Sequence, residues 1–254
     1  MTHPIQATAE SIRNADAIVG IVVALPEELR TLSPEKIEQG QCRRFGKTWI
    51  AYSGTGIENA ANAAKSLVEN GAQILISWGC AAGLASELKP GDLVLAEQVL
   101  SERGQFETDL QWRSYIGQKL SSTLSVKNGR LFTNPKLVGL SLDKQRIRQS
   151  SLAVALDMES VAIAEVASQA SVPFLVIRSI ADPVDMDLPQ AVLAGLNDKG
   201  QIELGKLLTY LLRHPWEVIG LIRLGLHFRA AQNTLKIAAK QLAILEALPF
   251  PIAN

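Results

Sequence analysis

Residues 17–25 read AIVGIVVAL and run straight into Pro26-Glu27-Glu28. A stretch this short, free of charge and rich in β-branched side chains, predicts a strand covered on both faces rather than a helix. Three further runs share that character: Gln73–Trp78 (QILISW), Asp92–Ala96 (DLVLA) and Pro173–Ile177 (PFLVI), each bounded by Gly, Pro or charge. Between them, Glu58–Asn70 and Met158–Ala170 carry Ala, Leu and Ile at helical spacing with polar residues opposite. The alternation predicts a single α/β domain, a central mixed, largely parallel sheet flanked by helices. From Leu204 the pattern turns purely helical, with breaks at His214-Pro215 and at Pro249 and Pro251. The expected organisation is therefore an α/β domain over 1–203 and a basic, leucine-rich helical extension over 204–254, packed on it.

The composition excludes several classes. With 254 residues, 47% hydrophobic and 20% charged, the chain is neither disordered nor collagen-like, and it is long enough to fold without disulfides or a structural metal. Cys42 and Cys80 form no framework and lack a CxxC partner, so a reducing cytoplasm is the expected location. The 25 Lys and Arg balance 25 Asp and Glu, and a chain of zero net charge is not expected to bind nucleic acid generally. That balance hides an asymmetry: residues 204–254 hold six basic side chains against Glu217 and Glu246. No stretch is expected to cross a bilayer, and Glu10, Arg13 and Asp16 argue against a secretory signal at the N-terminus.

Ligands of open α/β sheets bind beyond the carboxyl ends of the strands, so the residues following each apolar run are the candidates for chemistry. Glu27 and Glu28 follow the first run, either as a solvated helix start or as functional carboxylates. Ser53-Gly54-Thr55-Gly56 opens a helix, as a plain tight turn or as a cradle of N–H groups for an anion. Asn59 stands where a dinucleotide fingerprint needs Gly or Ala, which argues against that class. In Trp78-Gly79-Cys80-Ala81-Ala82-Gly83 the small residues allow close approach of a ligand or of a helix. Cys80 has nothing basic beside it in sequence and reads as an inert thiol. Met158 and Glu159 open a helix after Leu156-Asp157. Asp182, just past the last run and before Pro183, is easily desolvated, which would raise its pKa and suit it to general-acid work.

ALPEE, SGTG, WGCAAGL with GDLV, LDMES and IRSIADP, in that order over residues 17–187, resemble the superfamily of purine nucleoside phosphorylases and 5′-methylthioadenosine/S-adenosylhomocysteine nucleosidases. DMES, FLVIRSIADPVDMDLP and LLRHPWEVIGLIRL extend the resemblance to a hopanoid-associated nucleosidase/phosphorylase branch, thought to act on adenosylhopane. The resemblance implies cleavage of an N-glycosidic bond with release of adenine. It assigns Glu28 to the attacking water, Glu159 to the ribose hydroxyls and Met158 to packing on the sugar. Asp182 serves purine N7, Arg178 orders the carboxylates, Phe132 stacks on the base, and Gly54, Gly56 and Gly79 let backbone approach the ligand. It implies no cofactor and no metal, with phosphate as co-substrate if the reaction is phosphorolysis. Ser77, where the hexameric phosphorylases carry an arginine, favours water, although Arg30, Arg103 or Arg130 could restore a phosphate site. Cys80 replaces the serine of the nucleosidases. The family further implies a homo-oligomer.

The chemistry agrees with these roles. Breaking the bond builds an oxocarbenium-like sugar and an anionic base, which calls for an acid at the purine and carboxylates around the sugar. Trp216, Ile219, Ile222 and Leu226, flanked by Arg213, Arg223 and Arg229, describe a helix that packs on the domain or a partner subunit. Alternatively, it meets the inner face of a membrane or a lipid-linked nucleoside. Two rival classes are a non-catalytic nucleoside-binding module and a membrane-associated scaffold.

Overall fold

The first run is a strand, β1 (Val19–Val23), buried along its whole length in a computed structural model that describes residues 17–195 and 203–243. It is followed by α1 (Pro26–Leu32), β2 (Gln41–Phe45), β3 (Thr48–Tyr52), α2 (Ile57–Glu69), β4 (Ile74–Gly83), β5 (Leu93–Ser101) and β6 (Gly104–Glu107). Then come α3 (Leu110–Leu120), β7 (Val126–Thr133), α4 (Ser141–Ser151), β8 (Ala155–Asp157), α5 (Ser160–Ala170) and β9 (Phe174–Asp182). The described chain ends with α6 (Gln190–Gly195), α7 (Leu204–Arg213) and α8 (Glu217–Gln241). Glu10, Arg13, Asp16, Glu246, Pro249 and Pro251, which entered the sequence reading, lie outside the described residues.

The sheet runs β2-β3-β1-β4 and then closes on itself. β4 pairs with β9 on one side and, through Ala82 and Gly83, with β8; β8 pairs with β7, β7 with β5, and β5 with β9. These five strands make a ring, with β6 hanging from β5. Among the described residues five strand pairings are parallel and four antiparallel, so the sheet is mixed, with a smaller parallel majority than the sequence predicts. The antiparallel β5–β9 and β4–β8 contacts are what close the ring.

Two strands outrun their apolar cores. The GCAAG stretch and Arg178 to Asp182 are read from sequence as lying after their strands, yet both are strand, paired from Gly79–Arg178 to Ala82–Asp182 with a bulge at Ala81/Ala82. Gly79, Ala81, Ala82 and Gly83 are small enough for β4 to be flanked closely on both sides. One face of the sheet is covered by α2 and α5 through Ala60, Ala64, Leu67, Val161 and Ala162. The other is covered by α1, α3 and α8 through Leu29, Leu32, Trp112, Ile116, Leu235 and Ala238.

Within the extension, α8 is divided along its length. Ala231, Leu235 and Ala238 are fully buried, the last two in the core shared with Trp78 and Leu93, and Thr234 Oγ1 donates to Gly91 O at 2.7 Å. The end of α7, the turn after it and the first half of α8 leave Leu212, Trp216, Ile219 and Ile222 well exposed. Among the described residues no helix is long and apolar enough to cross a membrane.

Gly20 on β1 is crowded by α2, by the loop after it and by β4. A Cβ there would lie 2.9 Å from both Ala72 Cβ and Leu75 Cδ2 and 3.1 Å from Leu67 Cβ. Overpacking of this kind costs about 1–3 kcal/mol. Gly20→Ala is expected to lower the unfolding free energy by that amount in a urea titration; an unchanged midpoint would refute the tight packing of α2 on β1.

Candidate functional site

Pro26 stands at the first helical position of α1, and Glu28, two residues on, turns back onto the helix start. Glu28 Oε2 accepts from Ala24 N and Leu25 N, both at 3.0 Å, and Oε1 accepts from Cys80 N at 2.8 Å on β4. The carboxylate is 3% exposed, which rules out the solvated helix start as its description; Glu27, paired with Arg30 at 3.4 Å, fills that role. Burial pushes the Glu28 pKa up, while Arg178 and the three N–H groups pull it back.

Gly79 makes this approach possible. A Cβ at that position would overlap the Glu28 carboxylate and lie 2.5 Å from Arg178 Nη1. Arg178, opposite Gly79 on β9, is buried and donates to Asp157 Oδ2 through Nε at 3.0 Å and Nη2 at 2.7 Å. Nη2 also reaches Ser77 Oγ at 2.7 Å. Asp157 accepts further bonds from Thr133 Oγ1 at 2.7 Å and from the Ser160 hydroxyl, which in turn bonds Ser77 Oγ at 2.9 Å. Burial alone would disfavour the guanidinium cation, but Asp157, Glu28 and Glu159 outweigh it and hold the pKa above the usual arginine value.

One N–H of the glycine-rich turn meets a carboxyl group, and that group is a side chain of the chain itself. Gly56 N donates to Glu159 Oε1 at 3.0 Å. Gly54 and Gly56 have φ of +79° and +103°, a conformation that favours glycine, and a Cβ on Gly54 would collide with the Gln39 amide. Glu159 is the N-cap of α5 rather than a residue inside it, and half-buried Met158 links it to β8. Burial, then the neighbouring Asp157, raises the Glu159 pKa to about 7, against the hydrogen bond from Gly56.

Asp182 ends β9, about 13 Å along the strand from Arg178 at a rise of some 3.3 Å per residue. Its Oδ2 is 2.6 Å from Lys144 Nζ, and its buried Oδ1 has no hydrogen-bond partner. Burial raises the Asp182 pKa and Lys144 opposes the rise. Phe132 is half-buried near the end of β7 and packs with Ala82, the sheet partner of Asp182, in a small cluster with Leu84 and Leu156. Arg30 and Arg103 are mostly exposed and paired with Glu27 and Glu165, and Arg130 is exposed. The Cys80 thiol, within β4, is pushed well up by burial and then by Glu28, which keeps it an inert thiol.

The structure thus joins Glu28, Gly79, Arg178 and Glu159 in one cluster and sets Asp182 further along the same strand. Sequence reading passes over Asp157, Ser160, Thr133 and Lys144, and it weighs Ser77 only against a phosphate site, not as a partner of Arg178. Asp157 and Ser160 stand within the LDMES stretch, where Asp followed three residues later by Ser at a helix start is a readable capping pattern. Lys144 offers no such signal.

Raised in the fold, the Glu159 carboxyl contributes stability that is fully present below about pH 4.5 and is lost as pH rises through about 7. Glu159→Gln keeps an acceptor for Gly56 without the ionisation. Its stability relative to the parent is expected to rise by about 3 kcal/mol between pH 4.5 and pH 8, read by chemical denaturation. A difference that does not change with pH would refute the assignment.

Solved structures share this fold. The 5′-methylthioadenosine/S-adenosylhomocysteine nucleosidase of Helicobacter pylori aligns at 19% identity over 91% of this chain and 98% of its own, TM-score 0.66. The S-adenosylhomocysteine nucleosidase of Streptococcus pyogenes, in complex with 5-methylthiotubericidin, aligns at 20% over 91% and 98%, TM-score 0.67. The futalosine hydrolase of Helicobacter pylori aligns at 19% over 91% and 97%, TM-score 0.65. The family model described as the phosphorylase superfamily matches residues 18–212, a span that takes in β1, every strand of the ring and each of the carboxylates above. On that match the chain belongs to the phosphorylase superfamily.

Proposed function

We propose that the protein hydrolyses the N-glycosidic bond of a 5′-substituted adenosine and releases adenine. The observation that carries this reading is the asymmetry of Asp182: one oxygen is fixed by Lys144 and the other is buried without a partner, as a carboxyl kept for a proton on a ligand is. Asp182 protonates N7 as the C1′–N9 electron pair moves into the purine. Glu159, held by Gly56, accepts the ribose 2′- and 3′-hydroxyls, with Met158 against the sugar and Phe132 on the base side. Glu28, fixed through both oxygens, takes the proton of the attacking water, and Arg178 balances the charge of Glu28 and Glu159. Positioning and electrostatics supply the catalysis, with no cofactor or metal in the scheme.

Water is preferred over phosphate because Ser77 is committed to Arg178 and Ser160, and because Arg30, Arg103 and Arg130 are exposed. Adenine release in matched buffers with and without phosphate, with sugar products weighed by mass spectrometry, tests this. The expected result is phosphate-independent release of the free sugar, reduced at least ~100-fold in Asp182→Asn, the lower range for a general acid. A ribose 1-phosphate product would replace hydrolysis by phosphorolysis. Absence of release from every adenosine would leave a nucleoside-binding module.

The 5′ substituent in this proposal is a polycyclic hydrocarbon, adenosylhopane being the substrate of the branch that the C-terminal motifs resemble. Support comes from the surface beside the end of β9: α8 packs Gly220 near Pro189, and Glu217 reaches Ala191 N at 3.5 Å. On α7 and the first half of α8 Leu212 is 85% and Ile219 76% exposed, among basic Arg213, Arg223 and Arg229. An apolar face with basic flanks suits the inner surface of an anionic membrane, in an otherwise cytoplasmic homo-oligomer. Sedimentation with vesicles containing phosphatidylglycerol is expected to fall at least ~10-fold when Ile219→Glu and Ile222→Glu are combined, since each swap removes buried apolar area and adds repulsion. Unchanged sedimentation would remove the membrane from the proposal.

A further inference from the structure

Of the eleven residues of α4, Lys144 alone is buried, with no exposed surface at all. Its sequence neighbourhood, Ser141-Leu142-Asp143-Lys144-Gln145-Arg146, is that of a solvated helix. An ammonium group has three N–H donors and needs three acceptors when water is excluded. Lys144 Nζ has them: Pro183 O at 3.0 Å, Met186 O at 2.7 Å and Asp182 Oδ2 at 2.6 Å. Two of these are main-chain carbonyls of the segment leaving β9, so the lysine ties Asp182 and that segment to α4. Ser141 N, bonded to Asp187 Oδ1 at 2.6 Å, and Leu188 N, bonded to Gly139 O at 2.8 Å, fasten the same junction from outside. The other charges facing the pair are Asp185 and Asp187, on the segment after β9, and His227 on α8 faces Asp185.

With both ends of the ammonium geometry fixed, Oδ2 cannot be the oxygen that meets a ligand. Resting on the glycosidase reading above, we propose that Lys144 is the positioning residue of the general acid. It holds Asp182 by Oδ2, leaves Oδ1 to carry the proton, and stabilises the carboxylate formed when that proton moves to N7. In that step the Oδ1–H bond breaks and the N7–H bond forms, while the C1′–N9 pair departs with the adenine. Water gives its oxygen to C1′ and its proton to Glu28, and exchange with solvent restores both carboxyl groups. A neutral residue at 144 leaves Asp182 a weaker acid, so the loss should depend on how much the leaving base needs a proton.

Lys144→Met and Lys144→Gln test this, the glutamine keeping a donor for a main-chain carbonyl without the charge. Each is assayed on a 5′-substituted adenosine cleaved by the parent protein and on 4-nitrophenyl β-riboside, whose phenolate leaves unprotonated. Adenine release is expected to fall at least ~100-fold and nitrophenolate release by no more than about threefold, a contrast set by general-acid catalysis alone. In the same variants the ¹³C carboxyl resonance of Asp182, assigned by its absence in Asp182→Asn, is expected to titrate about one pH unit or more higher. Ethylammonium is expected to restore adenine release in Lys144→Ala. Equal losses on both substrates, or an unmoved Asp182 titration, would reduce Lys144 to an anchor for α4 and overturn the proposal. Should the parent release base from neither substrate, the glycosidase reading fails, and the titration still decides whether Lys144 governs Asp182. If neither neutral variant folds, the Asp182 titration of the parent is set against that of Lys144→Arg, where a retained charge is expected to keep the midpoint within about half a unit. A larger displacement counts against the proposal.

Discussion

A guanidinium almost sealed from water is the constraint on which the rest of this structure depends. Removing such a charge from solvent costs several kcal/mol unless the surroundings return the lost interactions. Arg178 regains them from two bonds to Asp157 and one to Ser77, and from the nearby carboxylates Glu28 and Glu159. Each partner is then fixed in turn. Asp157 takes Thr133 from β7 and Ser160 from α5, Ser160 takes Ser77 from β4, and Gly79 must carry no side chain. One cation therefore sets the mutual positions of four strands and a helix start. The strand ring can close around it because the residues of β4 nearest to it are small.

Three carboxyl groups around this centre differ through what surrounds them. Glu28 accepts three main-chain N–H groups, which favour its charged form against burial. Glu159 has one such bond and a carboxylate neighbour, so it sits near neutrality. Asp182 is set apart, facing a lysine instead of amides, with one oxygen uncommitted. Separating like groups by environment is how one fold obtains three different proton affinities from the same functional group.

The α/β class, the position of β1 and the helical character after Leu204 were legible because apolar periodicity records which faces are buried. The ends of β4 and β9 were not, since Gly79 to Gly83 and Arg178 to Asp182 lack the bulk that marks a strand, and their pairing depends on partners distant in sequence. Neither were β2, β7 and β8, whose exposed or very short runs carry little signal. At the site, Glu28, Glu159, Arg178 and Asp182 stood out by lying just beyond apolar runs. Asp157 was masked by the more conspicuous Met158 and Glu159 beside it. Lys144 was hidden by its own helix, where a lysine among Asp, Gln and Arg reads as solvent-facing and only the fold turns it inward.

The burial of Leu235, Ala238 and Leu242 against the face of the sheet bears on how the chain matures during synthesis. Strands β1, β4, β5 and β9, and the covering helices α1 and α3, are all translated before α8 completes the cover of that face, and contacts between residues so far apart in sequence form late. The part of the face that Leu235, Ala238 and Leu242 cover therefore stays open to solvent until the end of α8 clears the ribosome exit tunnel. During that interval the nascent chain presents a sticky apolar sheet, the kind of surface that holdase chaperones shield. Truncation upstream of Ala231 would prolong that exposed state indefinitely, so a premature stop there yields a substrate for quality-control proteases rather than a shorter enzyme.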